Sequence, residues 1–422
     1  MSDILTVSII GVGARGGEAY GKIMLGMPQK FRIVALCDRD EGKLNKYKKL
    51  FDIPDENAFS NDDEFFKEKR SDILLIATGD TEHVSVAKRA IPMGYKILLE
   101  KPISDQLDEL VELRGLAENH HAFVMVCHVL RYTWANRTIM EVIRSGRLGR
   151  LIHIDHTEQI CFWHFAHSYV RGNWRNTKVA APMIMAKSCH DLDLLQQYAG
   201  SKCDSLSSVG ELTWFKAENA PHGAAERCLD CQYQDTCPYS AKLKYLVWRK
   251  RETPDWARGW PYSVLTVDEP TDENLEAALK SGPYGRCVFR CDNNVVDHQT
   301  VTAMFENDVT ATFNVTAFTK NMGRITKLRF SEGELIYEEE KGMVIEKPFA
   351  GEDVVHQNDI NDNLGHGGGD YGILNTLYNV LTKDEAEADT SLENSIESHL
   401  MAIAAEDSRV NGGKVVFLKN YR

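Results

Sequence analysis

Thr6-Val7-Ser8-Ile9-Ile10-Gly11-Val12-Gly13-Ala14-Arg15-Gly16-Gly17 decides the fold, together with the apolar run Phe31-Arg32-Ile33-Val34-Ala35-Leu36-Cys37 that ends on Asp38. A strand running into Gly-x-Gly-x-x-Gly, a helix start, and a second strand ending on an acid 27 residues after the first glycine are the parts of a dinucleotide-binding βαβ unit. In such a unit Gly11 makes the tight turn, Gly13 lets the backbone approach a pyrophosphate, and Gly16 lets helix and strand pack closely. The helix start at Ala14 and Arg15 offers unpaired N–H groups to the phosphate charge. Asp38 suits ribose hydroxyls and repels a 2′-phosphate, so NAD is expected over NADP, and the adjacent Arg39 is the side chain that would accommodate that phosphate.

The alternation of apolar strands and amphipathic helices continues. Residues 71–77, 96–100 and 122–126 read as buried strands, and 43–51, 83–93 and 107–119 as helices. This pattern predicts a doubly wound parallel sheet, a Rossmann domain over residues 1–126. Ligands of such sheets lie beyond the carboxyl ends of the strands, so the loops after Ile10, Cys37, Ala77, Leu99 and Val126 should meet at one crevice. Beyond it, residues 150–158, 296–305, 309–317, 325–330, 334–337 and 343–346 are strand-like and several are joined by short turns. A mostly antiparallel sheet in an α+β domain over 127–422 is expected, with a Cys-rich insertion at about 215–285. A late helix opens at Ser391, a capping residue followed by acids that suit the helix dipole.

The chain has 422 residues, 43% of them hydrophobic and 26% charged, with a formal net charge of −13. That acidic balance speaks against a nucleic-acid role, which needs a basic surface. No apolar run approaches the roughly 20 residues that span a bilayer, so no membrane role is expected. Met1-Ser2-Asp3-Ile4 lacks a basic and then apolar signal pattern, and the expected location is cytoplasmic. The ten cysteines are then expected as reduced thiols or metal ligands rather than a disulfide framework.

The loop after the fifth strand reads Leu98-Leu99-Glu100-Lys101-Pro102, and here the sequence resembles the Gfo/Idh/MocA family of NAD(P)-dependent sugar and cyclitol oxidoreductases. The family's Glu-Lys-Pro motif falls on Glu100, Lys101 and Pro102. The stretch Ala77-Thr78-Gly79-Asp80-Thr81-Glu82-His83 is similar to the family's loop beside the nicotinamide, which adds Thr78 and His83 to the cofactor residues. The resemblance also implies an open-faced sheet with helices on one side in the second half, used for assembly into a homodimer or homotetramer. It implies catalytic roles for Lys101 and for His190 in Lys187-Ser188-Cys189-His190-Asp191-Leu192-Asp193. A lysine partly desolvated beside a cationic ring is suited to exchanging a proton with a substrate hydroxyl, and a neutral imidazole can take that proton. The acid that the family commonly has four residues before the histidine is Ala186 here, which leaves Lys187, Asp191 or Asp193 to orient the substrate or His190.

Residues 161–175 interleave aromatics with His164, His167, Arg171, Trp174 and Arg175, a composition that suits a sugar, whose apolar faces stack on rings while its hydroxyls need donors and acceptors. Arg131, after the sixth strand, is placed with these substrate residues. His366-Gly367-Gly368-Gly369-Asp370 resembles a late segment of family branches that include sugar-cleaving members, which adds His366. Three functions follow: an NAD-dependent dehydrogenase of a sugar, glycoside or cyclitol hydroxyl; a glycosidase that oxidises transiently and eliminates; and a non-catalytic sugar- or NAD-binding protein. Cys228-x-x-Cys231 with Cys237 nearby and His222 upstream suits a closed structural zinc site, against a reading of reduced thiols around an apolar cluster with Tyr239 and Trp248.

Overall fold

Six short apolar strands pair in parallel in the order β3-β2-β1-β4-β5-β6, where β1 is Leu5–Ile10, β2 Phe31–Cys37, β3 Ala58–Phe59, β4 Ile73–Ile76, β5 Lys96–Leu99 and β6 Val124–Val126. The structure is a computed structural model and describes residues 4–358, 366–383 and 389–422. The four residues of β4 are all buried, as a strand covered on both faces requires, which is why it reads as an unbroken apolar run. The strand order reverses between β1 and β4, and the crevice beyond their carboxyl ends is the ligand position of a doubly wound sheet.

The second sheet has nine strands in the order β14-β13-β12-β11-β7-β10-β9-β8-β15. They are β7 Leu151–Gln159, β8 Cys203–Glu211, β9 His298–Phe305, β10 Thr310–Thr316, β11 Gly323–Phe330, β12 Gly333–Glu338, β13 Met343–Pro348, β14 Val354–Gln357 and β15 Val416–Phe417. All neighbours are antiparallel except β10 and β7, which run parallel. One face is buried by helices Cys189–Ala199 and Leu392–Val410, and the other carries Thr300, Thr302, Thr310, Thr312 and Thr316 at half-buried or exposed positions. β8 escapes the apolar pattern because an inward position is Ser208, whose N–H and hydroxyl are bonded by Ser408 and Gln299.

Two long-range features position the site. Helix Gly369–Thr382 returns to the parallel sheet and packs Ile373, Leu374, Leu377 and Tyr378 into the apolar cluster of Val7, Ile9 and Leu36, which carries His366 and Asp370 to the glycine-rich turn. Helix Leu392–Val410 presents His399 to the loop after β5: its Nε2 accepts from the Ile103 N–H at 2.9 Å, while Nδ1 donates to the Ser395 carbonyl at 2.8 Å. Between β8 and β9 the insertion closes on its own small core of Cys228, Ala241, Tyr245, Tyr262, Leu275 and Leu279. Among the described residues, no helix is long and apolar enough to cross a membrane.

Candidate active site

The turn after β1 has the geometry its glycines demand. Gly11 sits at φ +87°, and a Cβ there would lie 2.3 Å from the Ala77 carbonyl oxygen. A Cβ on Gly16 would lie 2.0 Å from the Gly11 carbonyl oxygen, so only glycine lets the helix close on the strand. Beside Gly13 there is open space, which leaves the backbone accessible to a pyrophosphate. Asp38 is fixed at the end of β2: one carboxylate oxygen accepts from the Val12 N–H and the other from the Asp40 N–H, both at 2.8 Å. Each oxygen keeps a lone pair for a ribose hydroxyl. Arg39 is mostly exposed and pairs with Glu82. These residues fit a bound dinucleotide.

Arg15 turns from the turn to the inside. Its guanidinium bonds Glu100 at 2.6 Å, Asp370 at 2.7 Å and the Tyr20 hydroxyl at 2.6 Å. Burial alone would raise the Glu100 carboxyl; Arg15 and Lys101 hold it below the ordinary carboxylate range. The other Glu100 oxygen accepts from the Lys101 N–H at 2.8 Å. His83, buried at the start of helix His83–Ala90, bonds the Pro102 carbonyl at 2.6 Å. Glu100 and His83 thus brace the Lys101 loop from two sides. Thr78 lies at the rim, half-buried, two residues before Asp80.

Lys101 Nζ donates to the Ala186 carbonyl at 2.9 Å. At the position where an acid is missing, the backbone supplies the acceptor. Four residues on, His190 is 6% exposed with Nδ1 unpartnered. Burial, then the Lys101 charge, then His128 and His366 hold its imidazolium form well below the ordinary histidine range. His190 is therefore neutral at pH 7 and able to accept a proton. Sequence reasoning missed two neighbours. Asp80 has an unpartnered carboxylate oxygen, and burial raises its pKa while Lys101 and His83 oppose the shift. His128 is wholly buried, its ring 5.6 Å from both His190 and His399, with neither nitrogen hydrogen-bonded and Nδ1 3.9 Å from an Asp193 carboxylate oxygen. Asp80 was legible in the stretch 77–83; His128 carries no sequence signal.

Of the expected substrate residues, His366 lies beside His190, and the charges of Lys187 and His366 act on His164. The His366 ring is 6.4 Å from that of His190, and its Nδ1 bonds Asp370 at 3.1 Å. His164 packs on Trp260 at 4.8 Å and on Trp163 at 5.8 Å, ring to ring. Lys187 pairs with Glu158 at 2.9 Å, and Glu158 in turn faces Arg324 at 3.0 Å.

Other expected substrate residues have their donors committed elsewhere. Asp191 is buried between His156 at 3.0 Å and Arg324 at 2.7 Å, so it does not face the cleft as a free acid. Arg131 forks onto Asp193 with two contacts of 2.7 Å. His167 bonds Tyr245 at 2.7 Å, Arg171 donates to the carbonyls of Arg286 and Tyr239 at 2.7 Å each, and Arg175 pairs with Asp292 at 2.8 Å. Trp174 packs near Tyr169 at a ring distance of 6.3 Å. His167, Arg171 and Arg175 thus tie the segment after β7 to Tyr245, Tyr239, Arg286 and Asp292.

The zinc expectation is corrected. His222 is exposed, and its carbonyl rather than its ring is used, accepting from Tyr233 at 2.9 Å. Cys228, Cys231, Cys237 and Cys287 line one small pocket with Arg171, but among the described residues no three His, Cys, Asp or Glu side chains are placed to hold a metal ion. All ten cysteines are free thiols, and burial pushes that of Cys287 up to about 11 and raises that of Cys237. The insertion is ordered by its apolar core instead.

Five histidines are held neutral by burial, with His128 lowered to about 4 and His167 and His399 to about 3, alongside His164 and His190. Their folded pKa values lie below the unfolded value of 6.5, so the stability is intact above that pH and is lost as the pH falls from 6.5 towards 3. Each contributes a loss of about 1.4 kcal/mol per pH unit across that window. Thermal unfolding at pH 7, 6 and 5 should show a falling midpoint that is restored in part by His167→Phe; a flat profile would contradict the burial argument.

Residues 5–128 match the oxidoreductase family GFO_IDH_MocA, NAD-binding Rossmann fold. The putative oxidoreductase YteT of Bacillus subtilis is 22% identical over 394 residues, 87% of each chain. Glycosyl hydrolase family 109 protein 1 of Bacteroides fragilis is 26% identical over 238 residues, 52% of this chain and 48% of that one. The crystal structure of aldose-aldose oxidoreductase from Caulobacter crescentus, complexed with glycerol, has a TM-score of 0.68 at 13% identity and covers 98% of this chain and 100% of that one. At that identity the likeness shows the fold alone. Residues 5–128, with the glycine turn and Glu100-Lys101-Pro102 inside the match, are thus similar to the oxidoreductase family GFO_IDH_MocA and its NAD-binding Rossmann fold.

Proposed function

We propose that the protein is an NAD-dependent oxidoreductase that moves a hydride between nicotinamide and a secondary hydroxyl of a sugar, glycoside or cyclitol. The observation that carries the reading is Lys101 Nζ on the Ala186 carbonyl, four residues before a neutral His190, at the carboxyl end of β5. Gly11, Gly13, Gly16 and Asp38 would hold the dinucleotide, which when bound supplies the hydride acceptor. Lys101 takes or returns the hydroxyl proton, His190 is the second group able to carry it, and Glu100 keeps the lysine loop in place. Incubating the protein with NAD and a panel of hexoses, pentoses, cyclitols and their glycosides should give a steady rise of NADH absorbance with at least one. Silence with the whole panel and both cofactors would contradict the proposal.

NAD is preferred over NADP in this reading, because Asp38 faces the ribose position and Arg39 is engaged by Glu82. NADH should bind at least about tenfold more tightly than NADPH by fluorescence titration, and Asp38→Ser should narrow that gap. Equal affinities would contradict the role of Asp38. The reading includes a homodimer or homotetramer paired through the threonine-rich open face of the nine-stranded sheet, checked by light scattering after gel filtration.

A second reading is favoured by the His366–Asp370 pair beside His190, a further base at the same cleft. In it the protein retains NAD, oxidises the sugar transiently, eliminates the aglycone and returns the hydride. Release of nitrophenol from nitrophenyl glycosides without net NADH distinguishes it.

A further inference from the structure

Lys244 lies in the insertion, in the helical turn Leu243–Val247, and is 9% exposed. Its ammonium rests 3.5 Å from the Trp163 ring centroid and 5.5 Å from that of Tyr262. Among the described residues, no carboxylate and no hydrogen-bond acceptor partners it. Burial lowers its pKa to about 8, with Glu252 and Cys161 opposing, so it remains charged at neutral pH. A ring face attracts such a cation but carries no net charge to balance it. Buried cations are ordinarily paired, and this one is not.

Its position joins it to the cleft. Trp163 meets His164 at 5.8 Å and Trp260 at 5.6 Å, and all three rings are half-buried. The charges of Lys187, Lys244 and His366 all act on His164, whose imidazolium form is disfavoured first by burial and then by them. Trp163 and His164 therefore stand between Lys244 and the side of the cleft on which Lys187 and His366 act. The other cations along it are committed: Lys187 and Arg324 to Glu158, Arg15 to Glu100 and Asp370, and Lys101 to the Ala186 carbonyl.

We propose that Lys244, with Trp163, His164 and Trp260, is an anion-recognising subsite, and that the substrate is an acidic sugar whose carboxylate pairs with Lys244 while its ring lies against the aromatic wall. A single ammonium matches a monoanion, whereas a phosphate dianion calls for a second cation or a nest of N–H groups, and Arg249, which shares the Tyr262 ring with Lys244, is committed to Asp272. A hexuronate unit is the chemical class that combines one carboxylate, a stackable ring and a secondary hydroxyl for the reaction proposed above, on which this substrate assignment rests.

Binding decides it, independently of turnover. The NAD-loaded protein is titrated calorimetrically at pH 7 with D-glucuronate, D-galacturonate and D-mannuronate, with their neutral methyl esters, and with the parent hexoses. At least one uronate should bind about tenfold or more tightly than its own methyl ester, and Lys244→Met should remove that difference. Because the comparison of acid with ester is made within the wild-type protein, it stands even if the variant folds poorly. Equal binding of acid and ester throughout, no binding by any uronate, or a preference that survives Lys244→Met overturns the proposal. A Lys244-dependent uronate preference without NADH formation upholds the subsite and counts against the oxidoreductase reading instead.

Discussion

Replacing Lys101 by alanine should lower turnover by at least about 100-fold while NAD affinity stays within a few-fold, since general acid–base groups typically supply about 10² to 10⁴ in rate. The two effects separate because different parts of the chain are responsible for them. The glycine turn and Asp38 are held by backbone contacts that do not involve the lysine side chain. Lys101 Nζ, in contrast, has only the Ala186 carbonyl as a hydrogen-bond partner among the described residues; its removal takes a compensating charge from Asp80 and from Glu100, and Glu100 keeps Arg15. Lys101→Arg should not restore activity, because a guanidinium stays protonated and cannot serve as a base. Steady-state NADH formation with the best sugar and a fluorescence titration of NAD measure the two quantities. A variant that keeps about a third of wild-type turnover would assign the proton to His190 alone.

The second large effect is on stability. Arg15 is the only guanidinium bonded to both Glu100 and Asp370 among the described residues, and those carboxylates are 3% and 2% exposed. Arg15→Met would leave two buried acids facing each other and the Tyr20 hydroxyl. Removing one partner from a buried ion pair costs about 3–5 kcal/mol, because the remaining charge has lost its compensation rather than because the pair itself is strongly stabilising. Urea unfolding should show that loss, and adding Asp370→Asn to Arg15→Met should recover part of it. A loss below about 1 kcal/mol would place the trio among solvent-screened surface pairs. The same variant should slacken the site, because Glu100 holds the Lys101 N–H and Asp370 holds His366.

Much of this architecture is visible in the residues, for identifiable reasons. The parallel sheet announces itself because strands buried on both faces leave unbroken apolar runs, as in Ile73–Ile76, and because Gly11 and Gly16 stand where any Cβ would strike backbone. The helix over residues 107–119 and the cap at Ser391 were equally plain, since both depend on local periodicity and capping chemistry. What stayed hidden depends on contacts between distant segments. Nothing in the sequence around Arg15 says that its guanidinium meets an acid 355 positions later, or that the Ala186 carbonyl takes the place of a missing acid. The cations of 131, 171 and 175 looked like sugar contacts for the same reason: their partners Asp193, the carbonyls of Arg286 and Tyr239, and Asp292 lie far along the chain. Cys-x-x-Cys spacing suggested zinc, but the fourth ligand was assigned to His222 by proximity in sequence, and the folded insertion exposes that ring.

The most direct test of the central claim is the fate of the carbon-bound hydrogen. The protein is incubated with NAD and a panel of sugars, glycosides and hexuronates deuterated on their ring carbons, and the nicotinamide is analysed by mass spectrometry. Deuterium in NADH from at least one panel member, lost in Lys101→Ala, is the predicted result. Nicotinamide free of deuterium across the whole panel, with NAD demonstrably bound, would contradict the assignment of this site to hydride transfer.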